Sequence, residues 1–483
     1  MTAPRLSEFV KAYDVRGLVP QQLSPAVARA LGTAFAEVVV LPEHQGTQPA
    51  GCVIGHDMRD SSPSLALAFA EGLRERGVAV TMTSLVSTDA LYYASGSLAQ
   101  PGAMFTASHN PAAYNGIKLC RSGARPVGQD SGLVEVRNLA QQLLDGERIT
   151  PTSSGPQIVH RDVLAGYAAL LRELVDLRGI RPLKVVIDAG NGMAGHTVPR
   201  VLGDACGLEP LPLDIVPLYF ELDGTFPNHE ANPLDPANLL DLQRAVVAQG
   251  ADLGLAFDGD ADRCFVVDER GEPVSPSAIT SLIARREVAR ALAAGADHSE
   301  VAVVHNVICS AQVAEVIAAT GARPVRTRVG HSFIKDEMAR HGAVFGGEHS
   351  AHYYFRDFWY ADTGMLAALH VLHALGSQDG PLSRLMADLQ RYAASGEINS
   401  VVTDVPAATA AVLAWANRGD VVVDRLDGLT VSHAGGAGEP MWWFNLRASN
   451  TEPLLRLNVE AGDSETMAAV RDDVLRIVRG EHG

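Results

Sequence analysis

The sequence predicts three related α/β units followed by a smaller α+β unit, and three observations carry that expectation. A β-branched run ending in polar or glycine residues recurs at Cys52-Val53-Ile54-Gly55-His56-Asp57, Val185-Val186-Ile187-Asp188-Ala189-Gly190 and Val301-Ala302-Val303-Val304-His305-Asn306. Helical patterns follow, as in Ser64 to Leu73 and Ala311 to Ala318, so strand and helix alternate as in α/β layers. Towards the C-terminus short strands and one final helix replace that alternation. A chain of 483 residues with 47% hydrophobic content can bury several cores, and such a length suits about three or four domains.

The stretch Thr150 to Pro156, rich in Pro, Ser and Gly, reads as the linker after the first unit, and Gly376 to Pro381 lies near the end of the third. Strand signals continue on both sides of Glu272 to Pro276, where the second unit passes into the third. The expected domains are therefore 1–152, 153–273, 274–379 and 380–483.

A net charge of -17, from 39 basic and 56 acidic residues, argues against nucleic acid and anionic membrane surfaces as partners. An anionic substrate must then be captured by local basic residues. Cys52, Cys120, Cys206, Cys264 and Cys309 show no CxxC spacing and read as reduced core thiols of a cytoplasmic protein. The N-terminus, Met1 to Glu8, lacks an apolar signal region, and no run is expected to approach the roughly 18 apolar residues of a membrane helix.

The hexapeptide Thr106-Ala107-Ser108-His109-Asn110-Pro111 offers a hydroxyl nucleophile at the end of a short apolar strand, Ala103 to Phe105, which the turn formers Asn110 and Pro111 stop. An ordinary strand-to-loop corner would satisfy the same residues, so the weight falls on a partner motif. That partner is Asp258-Gly259-Asp260-Ala261-Asp262-Arg263, whose three alternate carboxylates can converge on one hard cation. An EF-hand loop is the rival, with Asp258, Asp260, Asp262 and Glu269 on its ligand positions. It fails because Arg263 stands where the sharp turn needs Gly, and because Leu253 to Phe257 and Cys264 to Val267 read as strands.

Together these motifs resemble the α-D-phosphohexomutases, most closely the phosphomannomutase and phosphoglucomutase branch. The resemblance runs through the whole chain and includes Tyr13-Asp14-Val15-Arg16-Gly17, Gly347-Glu348-His349-Ser350 and Arg447-Ala448-Ser449-Asn450-Thr451-Glu452-Pro453. It implies mixed-sheet domains around a central active-site cleft and a phosphorylated Ser108 in the resting enzyme. One Mg²⁺ per chain would sit on Asp258, Asp260 and Asp262 together with the phosphate on Ser108. The implied reaction interconverts mannose 6-phosphate and mannose 1-phosphate, and glucose phosphates as a second pair. It passes through a hexose 1,6-bisphosphate that also serves as activator. Arg263 would add a positive contact. Lys118, in Tyr114-Asn115-Gly116-Ile117-Lys118, is the leading general acid/base candidate, with His109 beside the nucleophile.

For the substrate, Arg447, Ser449, Asn450 and Thr451 offer a guanidinium fork, two hydroxyls and an amide, which suits a phosphate cradle as well as a solvated turn. The resemblance assigns that loop to the phosphate not undergoing transfer, with Arg456 a further contact. In the basic run Arg326 to Lys335, Arg326 and Lys335 individually read as a solvated face, while Arg328 and His331 are the better site candidates. The resemblance places His331, Tyr13 and Arg16 in the cleft, gives Glu348 and Ser350 to the sugar hydroxyls, and aligns His352 with a family histidine. Glu348 is expected to anchor two adjacent hydroxyls. His349 and Ile308 depart from several relatives, which bears on sugar preference. The terminal domain is expected to act as a lid on a monomer or homodimer.

Phosphoglucomutase and phosphoglucosamine mutase are the neighbouring alternatives. From other classes, Gly190-Asn191-Gly192-Met193-Ala194-Gly195 matches a dinucleotide-binding turn, with Asp214 further on, and a non-catalytic sugar-phosphate sensor would retain the same cleft.

Overall fold

The computed structural model describes residues 4–11, 13–46, 50–151, 155–416, 420–436, 438–448 and 454–480. In the first unit the strand Gly51–His56 runs parallel to Ala79–Leu85 on one side and Gly102–Phe105 on the other, and Tyr114–Arg121 returns antiparallel beside Gly102–Phe105. The second unit repeats the plan, with Leu183–Asp188 between Leu213–Leu218 and Leu253–Phe257 and Cys264–Asp268 returning. The third does so with Ala302–Asn306 between Arg323–Thr327 and Phe345–Gly347, and Tyr353–Phe355 returning. The recurring β-branched run is the central strand each time. Parallel strands covered on both faces need apolar residues on both, and Val53, Ile54, Val185, Val186, Ile187, Val303 and Val304 are all fully buried.

This plan places one antiparallel hairpin at the same point of each unit, with connecting loops at 106–113, 258–263 and 348–352. Those loops carry the three motifs singled out from the sequence. They meet: Arg263 forms an antiparallel bridge with His352, and a Cβ on Gly259 would lie 2.4 Å from the Ser108 carbonyl oxygen. Only glycine allows that approach.

The fourth unit is a five-stranded antiparallel sheet in the order Ala393–Val401, Leu454–Ala461, Trp442–Ala448, Leu429–His433, Val421–Asp424, with the helices Val405–Ala416 and Ser464–Arg479 packed against it. Its core, including Val412, Phe444, Leu457 and Val474, is separate from the continuous core shared by the second and third units and one face of the first sheet.

Three details differ from sequence expectation. Val159–His160 adds to the edge of the first sheet beside Ala79–Leu85, so the chain leaves that sheet later than residue 152; of the expected linker, 152–154 lie outside the described residues. Pro25–Glu43 is a continuous helical run of 19 residues, apolar enough by composition to match a membrane span. It is core instead: Val27, Leu31, Phe35 and Val39 are buried, and glycines bring it against Ser62–Arg74, where a Cβ on Gly32 would meet the Phe69 carbonyl at 2.2 Å. Lys335 is not a solvated side chain but is 3% exposed, paired with Asp362 at 2.7 Å and lying 4.1 Å from the Tyr92 ring centroid.

Candidate active site

Ser108 sits in the left-handed region, φ 50°, and is 3% exposed. Its backbone N–H donates to Thr106 Oγ1 (2.9 Å), and its Oγ donates to Asp258 Oδ2 (2.7 Å). The loop around it is held by Arg59, whose guanidinium donates to the carbonyl oxygens of Ser108 (3.0 Å), Asn110 (2.6 Å), Pro111 (3.0 Å) and Tyr114 (3.0 Å). Arg59 is in turn paired with buried Asp57 at 3.3 Å. A fixed fork of donors reaches several carbonyls at once, so the Ser108 loop is clamped through its backbone.

The carboxylates of Asp258, Asp260 and Asp262 are all 0% exposed and offer oxygens within 4.8 Å of one another. Arg263 Nε donates to Asp258 Oδ2 (2.9 Å), and Lys118 Nζ lies 2.7 Å from Asp260 Oδ2 and 2.5 Å from Asp262 Oδ2. Thr88 Oγ1 donates to Asp260 Oδ2 (2.6 Å). Two cations thus face three anions, and Asp260 Oδ1 and Asp262 Oδ1 are buried with no hydrogen-bond partner among the described residues. Buried oxygen-only ligands with unfilled lone pairs fit a hard divalent cation.

Burial pushes the Asp258 carboxyl up to about 7; Arg263 opposes the shift while Asp262 and Asp260 add to it. Burial would also raise Asp260, but the Lys118 ammonium outweighs it and holds that carboxyl well below its usual range. Burial would lower Lys118, but Asp260 and Asp262 outweigh it and hold the ammonium far above its ordinary value. Lys118 is therefore charged in this arrangement and holds its proton tightly. Burial and then Arg263 pull His109 well below its ordinary value, and its Nδ1 accepts from Arg263 Nη2 at 2.6 Å, so the ring is neutral.

In the third loop Glu348 is 2% exposed. Its Oε1 accepts from Asn306 Nδ2 (3.1 Å) and the Gly330 N–H (3.1 Å), and its Oε2 from Tyr354 OH (2.6 Å). The expected two-oxygen anchor is corrected by this: Oε1 is saturated, and Oε2 alone keeps acceptor capacity. Ser350 Oγ lies 3.0 Å from His352 Nδ1, and His352 Nε2 lies 3.7 Å from Asp262 Oδ1. Tyr13, Arg16, His109, Asn110, Arg328 and His331 line a cavity of about 1140 Å³. Within it Arg16 Nη1 donates to Asn110 Oδ1 (2.6 Å), exposed Arg328 lies over the Phe333 ring at 4.3 Å, and His331 meets Tyr13 edge-on at 5.3 Å. Burial, reinforced by Lys335, pulls His331 down to about 3, so it too is neutral near pH 7.

Arg447 and Arg456 stand opposite each other on adjacent strands of the fourth unit and share Glu397, at 3.6 Å and 3.3 Å. Ser449, Asn450 and Thr451 lie outside the described residues. The glycine-rich turn after Leu183–Asp188 is closed by packing: the Met193 N–H donates to the Gly259 carbonyl (2.9 Å), and a Cβ on Gly195 would meet the Phe220 carbonyl at 2.2 Å. Gly192 packs on the carboxylate loop, where a Cβ would meet the Gly259 carbonyl at 2.8 Å, and Gly195 on the Phe220 backbone, so these glycines serve close packing.

Sequence reasoning missed Arg59, Thr88 and Glu397. The Asp57-x-Arg59 pair directly follows the first central strand, where a buried ion pair at a loop start was the available signal; Thr88 and Glu397 carry none.

Comparison with known proteins agrees along the full length. Residues 7–141, 165–271, 276–392 and 397–477 match, in order, α/β/α domains I, II and III and the C-terminal domain of phosphoglucomutase/phosphomannomutase. The chain is 38% identical to a phosphomannomutase of Salmonella montevideo over 473 residues, covering 97% of this chain and 98% of that protein. It is likewise 38% identical to a Xanthomonas campestris protein named phosphohexose mutases, covering 97% and 99%. A crystal structure of a phosphoglucomutase/phosphomannomutase family protein from Burkholderia thailandensis superposes with a TM-score of 0.84 at 29% identity, covering 100% of this chain and 99% of that one.

Two outcomes follow from this geometry. Arg59→Lys keeps a charge but cannot span four carbonyls, so kcat should fall by about 100-fold with KM within about twofold; unchanged kcat would contradict the clamp. A cation must displace the Asp258 proton, so its activation constant should rise by up to about tenfold per unit as pH falls below 7. Activation curves between pH 6 and 8 test this, and a pH-independent constant would contradict it.

Proposed function

The chain belongs to the phosphoglucomutase/phosphomannomutase family, and from that premise we propose that it is a phosphohexomutase that interconverts mannose 6-phosphate and mannose 1-phosphate through a phosphorylated Ser108. The observation that carries this reading is the 2.7 Å hydrogen bond from Ser108 Oγ to Asp258 Oδ2, which sets the motif's hydroxyl against the carboxylate loop.

In the forward step a hydroxyl of the hexose monophosphate attacks the phosphoryl group on Ser108. The new bond is to the sugar oxygen, the broken one is to Ser108 Oγ, and the product is a hexose 1,6-bisphosphate. Net, one proton passes from the sugar hydroxyl to Ser108 Oγ; Lys118 is the group we assign to relay it, giving its proton to the serine oxygen and recovering one from the sugar hydroxyl. The bisphosphate turns end for end and returns its other phosphate to Ser108, and added hexose 1,6-bisphosphate acts as activator by the same route. Asp258, Asp260 and Asp262 would hold Mg²⁺, which when bound neutralises charge on the transferring group. Arg263 adds positive charge at Asp258, and Arg59 fixes the serine backbone.

Glu348 Oε2, Ser350 and His352 are assigned to the sugar ring, with Tyr13, Arg16, Arg328 and His331 as the cavity wall the intermediate turns against. Arg447, Ser449, Asn450, Thr451 and Arg456 are assigned to the distal phosphate. The fourth domain would close as a lid. Supporting this, its core is separate, and its contacts to the third unit include polar ones: Arg326 with Asp424, the Val329 N–H with Asp427 Oδ2 (2.9 Å), and the Ala311 N–H with Glu460 Oε1 (2.9 Å). The enzyme would work in the cytoplasm as a monomer or homodimer.

The test is kcat/KM for mannose 1-phosphate and glucose 1-phosphate, measured side by side with Mg²⁺ and a trace of hexose 1,6-bisphosphate. Mannose should be preferred by more than about tenfold, or roughly 1.4 kcal/mol. Equal values would make the enzyme a dual-specificity phosphohexomutase, and turnover of neither would overturn the reading.

A further inference from the structure

The helix Thr88–Leu98 of the first unit starts against the carboxylate loop. Thr88 holds Asp260 twice, its backbone N–H donating to the Asp260 carbonyl (3.1 Å) and its Oγ1 to Oδ2 (2.6 Å), and Asp260 Oδ1 is left as the oxygen with no hydrogen-bond partner among the described residues. The next residue, Asp89, is 1% exposed and has no part in the chemistry assigned above. Three hydroxyls donate to it, one from each of the first three units: Ser87 Oγ to Oδ1 (2.5 Å), Tyr167 OH from the second unit to Oδ2 (2.7 Å) and Thr363 Oγ1 from the third to Oδ2 (2.7 Å). All three donors are fully buried. Burial pushes the Asp89 carboxyl up to about 6 while the three hydroxyls oppose the shift, so it is a carboxylate at pH 7. Thr363 precedes Gly364, where a Cβ would meet the Arg263 carbonyl carbon at 2.7 Å. Thr88 and Gly364 therefore both touch the carboxylate loop, and each is the chain neighbour of one partner in the Asp89–Thr363 hydrogen bond.

We propose that Asp89 is a positioning residue for the cation site: by joining three units at one buried carboxylate, it fixes the helix start from which Thr88 sets Asp260. This rests on the reading of Asp260 as a cation ligand given above. A carboxylate accepts through two oxygens and about four lone-pair sites, so it can take three hydroxyl donors at once and leave none of them unsatisfied. An apolar side chain could fill the same space, but it would not fix the direction from which each unit approaches. That direction matters for a small, hard cation, which demands near-ideal placement of its oxygen ligands. A slight displacement of Asp260 therefore costs cation affinity before it costs the fold.

The experiment titrates the full-length protein with Mg²⁺ by calorimetry, and measures KM for hexose 1-phosphate at saturating Mg²⁺, for the wild type, Asp89→Asn, Tyr167→Phe, Thr88→Val, the double variant T88V/D89N and Asp260→Asn. Asparagine keeps the shape but has one acceptor oxygen for three donors, so Asp89→Asn is expected to weaken Mg²⁺ binding by about tenfold with KM within about twofold. Tyr167→Phe keeps the Asp89 charge, removes one tie, and is expected to weaken binding by about threefold. Because Asp89 acts through Thr88, the double variant should bind within about twofold of Thr88→Val alone. Three results would each overturn the proposal: wild-type affinity in Asp89→Asn, a double variant weakened by the product of the two single effects, and wild-type affinity in Tyr167→Phe, which would leave only the distant charge of Asp89 at work. If Asp89→Asn does not fold, Tyr167→Phe reads the tie by itself. Asp260→Asn separates the two levels. Unchanged Mg²⁺ binding there means that the cation reading itself fails, whereas lost binding there with wild-type affinity in Asp89→Asn and Tyr167→Phe removes only the role of Asp89.

Discussion

Three carboxylates buried at one point are the constraint on which the rest of the site depends. Asp258, Asp260 and Asp262 have no contact with solvent, and uncompensated charge there would cost several kcal/mol per ion. The surrounding groups respond to that demand. Lys118 arrives from the first unit to neutralise two of them, Arg263 turns back on the third, and Thr88 donates a further hydrogen bond from the helix Thr88–Leu98. Compensation by Lys118 and Arg263 is still one charge short, which suits a bound cation. Burial raises the Asp258 carboxyl and Asp262 and Asp260 add to that shift, while the field of Asp260 and Asp262 keeps Lys118 charged.

The repeated sheet plan is what allows such a site to be assembled at all. Each of the three units ends its central parallel strands in a hairpin, and the three hairpin loops converge. One carries Ser108, one the three aspartates and one Glu348. Close backbone approach, rather than side-chain contact, fixes their spacing: Gly259 lies against the Ser108 carbonyl, and Arg59 holds that carbonyl from the other side. The fourth unit stands apart from this core. Its hydrophobic interior is separate from theirs, and polar contacts such as the Val329 N–H with Asp427 Oδ2 link it to the third unit.

Much of this was legible in the sequence, for a definite reason. The central strands are buried on both faces, so their β-branched runs stand out, and the motifs at Ser108 and Asp258 are local, with all their chemistry within six residues. What was not legible depends on distant partners. Arg59 acts on carbonyl oxygens some fifty residues away, which leave no side-chain signature. Lys335 looks like a surface lysine until Tyr92 and Asp362 cover it. Glu348 was read as a ring anchor with two available oxygens, but Asn306, Gly330 and Tyr354 take up most of that capacity from three other segments. The two-residue strand Val159–His160 is too short to show a periodicity.

The account stands or falls on Ser108 carrying the phosphoryl group in transit. The most direct measurement is peptide mapping by mass spectrometry after incubation with hexose 1,6-bisphosphate, and again after a chase with excess hexose monophosphate. The account predicts one phosphate per chain, on the peptide containing Ser108, removed by the chase and recovered on sugar. Phosphate found on another residue, or a phosphorylated Ser108 that the chase does not discharge, would contradict it.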